Sequence, residues 1–202
     1  MSSSRNGLRT TLVALRAMII LTLVLGVAYP LVVTGIGAVL LPGRAGGSTV
    51  EVAGAVVGSS LIGQSFTDAT GNPLPEYFQS RPSAAGEGYD GAGSSGSNLG
   101  PENPDLIAAI QERRQQVAAF NDVEVDAVPP DAVTASSSGL DPHISPAYAR
   151  LQVARVAAAR SLPETTVREL VEASIASRDL GFLGEETVNV LELNVALDGL
   201  EG

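Results

Sequence analysis

The stretch AMIILTLVLGVAYPLVVTGIGAVLL, residues 17–41, carries no charged side chain and decides the fold class of this 202-residue chain. As an α-helix it would extend about 38 Å at ~1.5 Å per residue, enough to cross a hydrocarbon core of about 30 Å. A secretory signal peptide is the closest alternative, but its apolar region usually has only about 7–15 residues and ends in a cleavage site flanked by small residues. We therefore predict a retained transmembrane helix over residues 17–41.

The distribution of arginine predicts how this helix is oriented. Three arginine residues precede the apolar stretch, Arg5, Arg9 and Arg16, whereas only Arg44 follows it closely. Since loops on the cytoplasmic side of a membrane carry the excess of basic residues, the N-terminus should be cytoplasmic. We expect a cytoplasmic segment over residues 1–16, a Gly-rich linker over residues 42–48 and an extracytoplasmic domain over residues 49–202.

Small residues follow one face of the predicted span, at Gly26, Pro30, Thr34 and Gly37. Pro30 lacks a backbone donor and clashes with the preceding turn, so a kink is expected there. A face of small residues lets two helices pack closely in lipid. The alternative is the ordinary tolerance of membrane helices for Gly and Pro, and both interpretations stay open.

The remainder of the chain is strongly acidic. It holds eight arginine residues, no lysine and 22 acidic residues, which is a formal net charge of −14. Such a domain repels nucleic-acid phosphates and anionic lipid, so a nucleic-acid partner is not expected; the lipid bilayer is contacted through the helix. The acidic residues could keep the domain soluble, or they could concentrate cations near its surface. The chain has no cysteine, which excludes disulfides and thiolate chemistry.

Hydrophobic patterns predict a compact α+β domain, with a small sheet covered on one face by helices. Residues 49–57 resemble a strand, and Asn103-Pro104 and Ser145-Pro146 each resemble the start of a helix. The first of these helices should turn Arg113 and Arg114 outward. Ser161 and Glu164 have the spacing of a capping box for a third helix. Residues 187–193 (TVNVLEL) have the alternation of a second strand.

Most catalytic machineries are excluded by residue type. A phosphate-binding loop requires a lysine, and a histidine-based zinc site requires more than the single histidine, His143. No Gly-x-Ser-x-Gly nucleophile elbow is present. A membrane-tethered enzyme that uses a serine with His143, and a free-standing adhesion or sensor module, remain as alternative classes. We predict neither catalytic residues nor a metal site.

Three polar segments are rich in Ser, Gly, Asn and Pro. They are GSSLIGQSF (residues 58–66, with RPSA at 81–84), SSGSNLGPENP (94–104) and VTASSSGLDPHISP (133–146). Such residues form turns and helix caps, and together they could also form a surface that receives another protein. Asp141 and His143 are expected to order the turn before the Ser145 cap.

These segments, taken in order, resemble the KdpC family. The matching motifs are Tyr29-Pro30, LIGQxF, YFxxRPSA, SxGSNLGxxNP, VTASxSGLDPHISP, RVAxAR, LGFLGE and VNVLELNVALD, and they cover nearly the whole chain. KdpC is the single-span accessory subunit of the bacterial potassium-transporting P-type ATPase complex KdpFABC. The chain departs from the family at Ser95, where a second glycine is usual.

The resemblance implies a non-catalytic subunit of the inner (cytoplasmic) membrane that assembles with KdpA, KdpB and KdpF, catalysis residing in KdpB. The family is described as a catalytic chaperone that raises the ATP affinity of KdpB. The resemblance therefore implies ATP as a ligand shared with KdpB, with no intrinsic cofactor. It implies nucleotide-contacting residues at Gln64, Ser94, Gly96, Ser97 and Asn98. It also implies structural or interface roles for Pro30, Arg81, Asp141 and His143.

The predicted orientation and Ser95 both argue against direct contact with ATP, because the domain would lie outside and ATP inside. The alternative within the family is an extracellular cap over the pore of KdpA that aids potassium entry without contacting nucleotide.

Overall fold

The computed structural model of the protein describes the backbone of residues 3–200 and the side chains of residues 7–200. It falls into two compact units, one ending at Ser48 and the other beginning at Thr49. In the first unit, helix α1 (Ser3–Leu21) continues through a π-helical segment (Thr22–Ala28) into α2 (Tyr29–Leu40), and a short helix α3 (Pro42–Ala45) follows.

The first unit contains one helix that is long and apolar enough to cross a membrane, as judged by length and composition. It runs over Gly7–Leu40. An 18-residue window of this helix has a mean hydropathy of 2.3, and no residue of the window is buried. The helical stretch that meets this criterion thus begins ten residues before the predicted span of residues 17–41. The predicted linker over residues 42–48 includes the single turn of α3.

The sequence predicts a kink at Pro30, and the structure has a π-helical segment directly before this proline. The segment ends at Ala28, and the backbone N–H of Tyr29 bonds to Val24 O, five residues back. Pro30 is the second residue of α2 and has no N–H to donate. The wider turn therefore lies directly before the proline, where π-segments commonly relieve a helix of a strained hydrogen-bond pattern.

The second unit opens with a β-hairpin. Strands β1 (Thr49–Val52) and β2 (Ala55–Ser59) pair in antiparallel fashion, with a bulge between Val50 and Glu51. The prediction of one strand over residues 49–57 was wrong, because the chain reverses at Ala53 and Gly54, both of which have positive φ. In a hairpin with a two-residue turn, the alternation of side chains continues from one strand into the next. The alternating sequence pattern therefore does not show where the chain reverses.

Helices and a small sheet form the rest of the unit. Helix α4 (Pro104–Asn121) comes first, then single 3₁₀ turns at Val125–Ala127 and Pro130–Ala132, strand β3 (His143–Ile144), helices α5 (Pro146–Arg160) and α6 (Glu164–Ala173), strands β4 (Ile175–Ala176) and β5 (Thr187–Asn189), and helix α7 (Val190–Asp198). The sheet is antiparallel with β5 between β3 and β4. Helices and short strands together form a compact α/β region, which agrees with the predicted fold class.

Two predicted boundaries were wrong. Ser161 is not the cap of a third helix: it ends α5 in a left-handed conformation (φ 55°), and α6 begins after Pro163 without a side-chain cap. The strand over residues 187–193 stops at Asn189, whose side chain accepts the N–H of Glu192 and so begins α7. Leu193 and Leu197 then face the core on one side of that helix.

The core of the second unit is built mainly from valine and alanine with few aromatic side chains. Its fully buried members include Phe78, Val133, Val153, Val156, Val167, Val171, Val188, Leu193 and Leu197. Both predicted helix starts are confirmed, since Asn103 accepts the N–H of Asp105 at 2.8 Å and Ser145 accepts that of Tyr148 at 3.1 Å. Arg113 and Arg114, however, are half-buried rather than turned outward.

Candidate functional site

The three polar segments meet in space, although they are far apart in sequence. The backbone N–H of Gly63 donates to Leu140 O at 2.9 Å. The hydroxyl of Ser83 donates to Gly139 O at 2.6 Å. The hydroxyl of Ser94 donates to Ser138 O at 3.0 Å. We refer to this polar loop cluster, residues 58–66, 81–100 and 133–146, as the candidate site.

Within the candidate site, three side chains of residues 94–98 form hydrogen bonds with backbone carbonyl groups of the same loop and of the two neighbouring segments. Ser95, the residue that departs from the family pattern, donates its hydroxyl to Ala84 O at 2.8 Å. A Cβ added to Gly96 would lie 2.9 Å from Ser137 O, so this loop packs closely on the segment beside it. Asn98 has a positive φ of 53° and donates to Gly96 O at 3.1 Å. Ser97 is exposed.

Gln64 is oriented away from that loop. Its side-chain amide donates to Val57 O at 2.8 Å, and its backbone carbonyl accepts from Ser80. Among the described residues, no hydrogen bond joins Gln64 to residues 94–98. Ser94, Gly96 and Asn98 thus lie together in one loop, whereas the side chain of Gln64 forms its hydrogen bond elsewhere, with Val57 O.

Asp141 lies at the centre of a charged pair and a turn. The guanidinium of Arg81 donates to Asp141 Oδ2 at 3.0 Å, and the backbone N–H of His143 donates to Oδ1, also at 3.0 Å. His143 Nδ1 lies 3.2 Å from the same oxygen, and it must carry the proton because a carboxylate only accepts. The hydrogen bond from the His143 ring is the largest influence that lowers the pKa of Asp141, and the His143 N–H and Arg81 add to it.

Neighbouring backbone groups hold this arrangement in place. Arg81 also donates to Thr134 O at 3.2 Å, and its own carbonyl accepts the hydroxyl of Tyr89 at 2.7 Å. Burial raises the pKa of that hydroxyl to about 12, so Tyr89 donates at any physiological pH. Arg81, Asp141 and His143 therefore link the segment at residues 81–84 to the segment at residues 133–146.

The chemistry available at His143 is limited by its contacts. A serine nucleophile would lie within about 2.6–3.2 Å of its basic partner. In the part of the chain that the structure describes, the imidazole forms a hydrogen bond with Asp141 alone. That same part contains no group of three His, Cys, Asp or Glu residues placed to hold a metal ion. The geometry is that of an ordered turn leading into α5.

Sequence patterns missed a buried network of polar side chains below these loops. The amide of Asn194 exchanges two hydrogen bonds with the backbone of Phe78, at 2.9 and 3.0 Å. The amide of Gln152 does the same with Gln79, at 2.7 and 3.1 Å. The only available signal was a polar residue at a core-facing position of a helix. These amides fix the YFxxRPSA segment, and with it Arg81.

Arg155, the first residue of the RVAxAR motif, joins α4, α5 and the segment that contains Tyr77. It donates to Asn121 at 2.9 Å, to Tyr77 O at 3.0 Å and to Gln152 at 2.7 Å. Its guanidinium also lies 4.4 Å from the centre of the Phe120 ring, within the range of a cation–π contact. Burial lowers the pKa of Arg155 to about 10, and the group remains charged.

Comparison with known proteins identifies the family. The model of the family described as "KdpC: K+-transporting ATPase, c chain" matches residues 11–199. The chain belongs to the KdpC family. Among similar proteins, the potassium-transporting ATPase KdpC subunit of Kineococcus radiotolerans is 54% identical over 192 residues, covering 95% of this chain and 94% of the relative. The KdpC subunit of Nitratidesulfovibrio vulgaris is 52% identical, covering 95% and 96%. That of Mycobacterium tuberculosis is 49% identical, covering 95% and 99%.

Membership of the KdpC family makes the chain a subunit of the multi-subunit potassium-transporting ATPase. A transporter subunit is associated with a membrane, and the apolar helix Gly7–Leu40 fits that association. The candidate site is therefore a surface on a subunit of a transport complex.

Proposed function

We propose that this KdpC-family chain is a non-catalytic accessory subunit that crosses the bacterial inner membrane once. In this proposal its N-terminus lies inside, its acidic domain lies outside, and catalysis resides in KdpB. The orientation rests on Arg5, Arg9 and Arg16 before the helix, against Arg44 alone close behind it. The single observation that carries the proposal is this charge asymmetry on a long apolar helix that has no buried residue in its apolar window.

The helix is proposed to dock against the membrane subunits of the complex, with KdpA, KdpB and KdpF as the partners. Gly26 and Gly37 leave space that their own unit does not use: an added Cβ would first meet Thr22 at 3.8 Å and Ala45 at 3.9 Å, both ordinary contact distances. No close contact within the unit requires these residues to be small. Small residues of this kind are typical of helix faces where another helix approaches closely. Pro30 and Thr34 continue the same face.

Of the two mechanisms that the resemblance implies, the geometry favours the cap over KdpA. A phosphate needs hydrogen-bond donors, but the hydroxyl protons of Ser94 and Ser95 already go to Ser138 O and Ala84 O. The side chain of Gln64 donates to Val57 O instead. Under the proposed orientation these residues also lie on the side of the membrane opposite to ATP.

The acidic surface gives the cap a physical role. Many of its carboxylates are exposed, among them Glu102, Asp105, Asp122, Glu124, Asp126, Asp179, Glu185 and Glu186. A surface with a formal charge of −14 raises the local concentration of cations, an effect that salt screens over about 10 Å at 0.1 M. Potassium ions near the pore entrance would be enriched in the same way.

Two sets of variants, each measured in two ways, test this proposal on the purified complex. The first set neutralises Asp122, Glu124 and Asp126 together, as Asn or Gln. The second replaces the nucleotide-contacting candidates Gln64, Ser94 and Asn98 together by Ala. The cap predicts that the first set raises the half-saturating potassium concentration, more so at low ionic strength, and that neither set changes the half-saturating ATP concentration.

The chaperone mechanism predicts the reverse pattern. A several-fold rise in half-saturating ATP with the second set, and unchanged potassium dependence with the first, would replace the cap by direct nucleotide contact. Loss of co-purification with the other subunits in either set would show an assembly defect, so assembly is measured before the kinetics.

A further inference from the structure

A cavity of about 230 Å³ opens beside α4 and α5, below the candidate site. Its apolar wall includes Pro82, Val117 and Phe120, and its polar lining includes Arg81, Arg113 and Tyr148. Cavities with apolar walls and a few convergent polar groups are the usual form of small-molecule sites. Neither the proposed cap nor the docking helix uses this cavity.

Arg113 supplies an uncompensated positive charge to the cavity wall. Among the described residues its only hydrogen bond goes to Val133 O at 3.3 Å, and it pairs with no carboxylate. Five other arginine residues of the same unit pair with carboxylates: Arg81 with Asp141, Arg150 with Glu172, Arg160 with Asp198, Arg168 with Glu164 and Arg178 with Glu185. Among the described residues, Arg114 and Arg155 have no acidic partner either. Arg113 is one of three half-buried arginine residues of the unit without an acidic partner, and it is the one of the three that lines the cavity.

Tyr148 supplies a second unused donor. Only 3% of its surface is exposed. Its hydroxyl forms no hydrogen bond with any described residue, yet it is not fully enclosed by protein, so it opens onto the cavity. A hydroxyl that opens onto a cavity can donate to water or to a molecule bound there. Burial also raises the pKa of Tyr148, although Arg155 opposes this effect, so the hydroxyl keeps its proton.

The remaining polar groups of the lining are already engaged. Arg81 is bonded to Asp141 and Thr134, the Gln79 amide donates to backbone carbonyls, and Ser80 donates to Gln64 O. The Gln116 amide donates to Glu112. Arg113 and Tyr148 are therefore the groups that an occupant of the cavity would satisfy.

We propose that the cavity binds a small organic monocarboxylate, with the carboxylate on Arg113 and Tyr148 and a short apolar body against Val117 and Phe120. Arginine holds carboxylates through parallel N–H bonds, and a tyrosine hydroxyl adds a third donor. The cavity wall holds one guanidinium without an acidic partner, that of Arg113, and this favours a single negative charge over the double charge of a phosphate. The cavity volume suits a small molecule.

The test uses the full chain in detergent, with benzoate as the probe and benzamide as its neutral counterpart. Benzoate is expected to bind saturably by calorimetry and to raise the thermal midpoint, while benzamide and inorganic phosphate bind at least tenfold more weakly. Arg113→Gln should weaken benzoate binding at least tenfold, and Tyr148→Phe should weaken it several-fold. Arg168→Gln, which removes an exposed paired arginine, is the matched control and should leave binding unchanged.

Arg113→Lys guards against a variant that fails only because it folds poorly, since it keeps the charge and should retain part of the affinity. Absence of saturable benzoate binding to the wild-type chain would overturn the proposal. Equal binding of benzamide, binding of phosphate as tight as that of benzoate, or full affinity in folded Arg113→Gln would each overturn it as well.

Discussion

Gly139 lies directly against the backbone carbonyl oxygen of Ser95. A Cβ built on Gly139 would be 2.6 Å from that oxygen and 2.7 Å from the backbone nitrogen of Ala85. The φ of Gly139 is +68°, in the left-handed region that L-residues with a side chain rarely adopt. The polar loops of the candidate site therefore meet through their main chains, and glycine is required where they cross.

Gly139→Ala should destabilise the second unit by about 2–4 kcal/mol, because the new methyl group adds a clash with two backbone atoms to the cost of a left-handed alanine. Gly91→Ala is the matched control: nothing lies within 4 Å of its added Cβ, and a change within about 0.5 kcal/mol is expected. Thermal unfolding of the full chain in detergent measures both. Equal midpoints for the two variants would contradict the close approach of the loops.

Asp141 should make stability depend on pH. Its pKa is lowered in the folded chain, chiefly by the His143 ring. The stabilisation is therefore fully present above the unfolded value of about 3.9, and it is lost as the pH falls through the folded pKa. Asp141→Asn should cost about 1–3 kcal/mol at pH 7, and the difference from wild type should shrink as the solution is acidified below pH 4.

Asp126→Asn is the control for that experiment, because it removes one exposed carboxylate from a 3₁₀ turn. Its effect at pH 7 should stay within about 0.5 kcal/mol. A pH-independent difference between Asp141→Asn and wild type would mean that the charge of Asp141 does not stabilise the fold.

Gly37 and Gly35 test the proposed docking face of the helix. The two glycines lie about 200° apart around α2 at ~100° per residue, and an added Cβ finds open space or ordinary contact at both. Gly37→Leu should therefore leave the isolated chain intact but reduce its co-purification with the other subunits by several-fold. Gly35→Leu should have little effect. The opposite ranking would move the docking surface to the Gly35 face.

Local signals predicted those parts of the fold that local physics determines. The long uncharged stretch, the Asn103-Pro104 start of α4 and the Ser145-Pro146 start of α5 each depend on neighbouring residues alone. The three polar segments were recognisable for the same reason, since their composition marks turns. Their meeting in space depends on the rest of the fold and could not be read from any one segment.

Predictions from the sequence were wrong where two local signals competed, or where distant parts of the fold determined whether a side chain is buried. Ser161 and Glu164 fit a capping box, but the end of α5 needs a left-handed residue at Ser161, and Pro163 then begins α6. Residues 187–193 alternate like a strand, yet the Asn189 cap starts a helix there. Arg113 was predicted to face solvent from its position in the helical pattern. Its position on a cavity wall depends on loops that are distant in sequence, and the helical pattern does not show them.

The buried amides show a further limit of sequence reasoning. Asn194 and Gln152 bond to Phe78 and Gln79, residues 116 and 73 positions away. A polar residue on a helix can be exposed, or it can be buried with a distant partner, and the helical pattern does not distinguish these outcomes. Only the assembled core shows which carbonyls and N–H groups each amide satisfies.

The side of the membrane on which the acidic domain lies is the central claim, because the cap requires the outside and nucleotide contact requires the inside. The chain has no cysteine, so single cysteines can be labelled without background. Asp126→Cys, on an exposed turn of the domain, is treated in intact spheroplasts with a membrane-impermeant maleimide, and Ser4→Cys serves as the N-terminal control. Our account predicts that Asp126→Cys is labelled at once and Ser4→Cys only after permeabilisation. Labelling of Asp126→Cys only after permeabilisation would contradict the account.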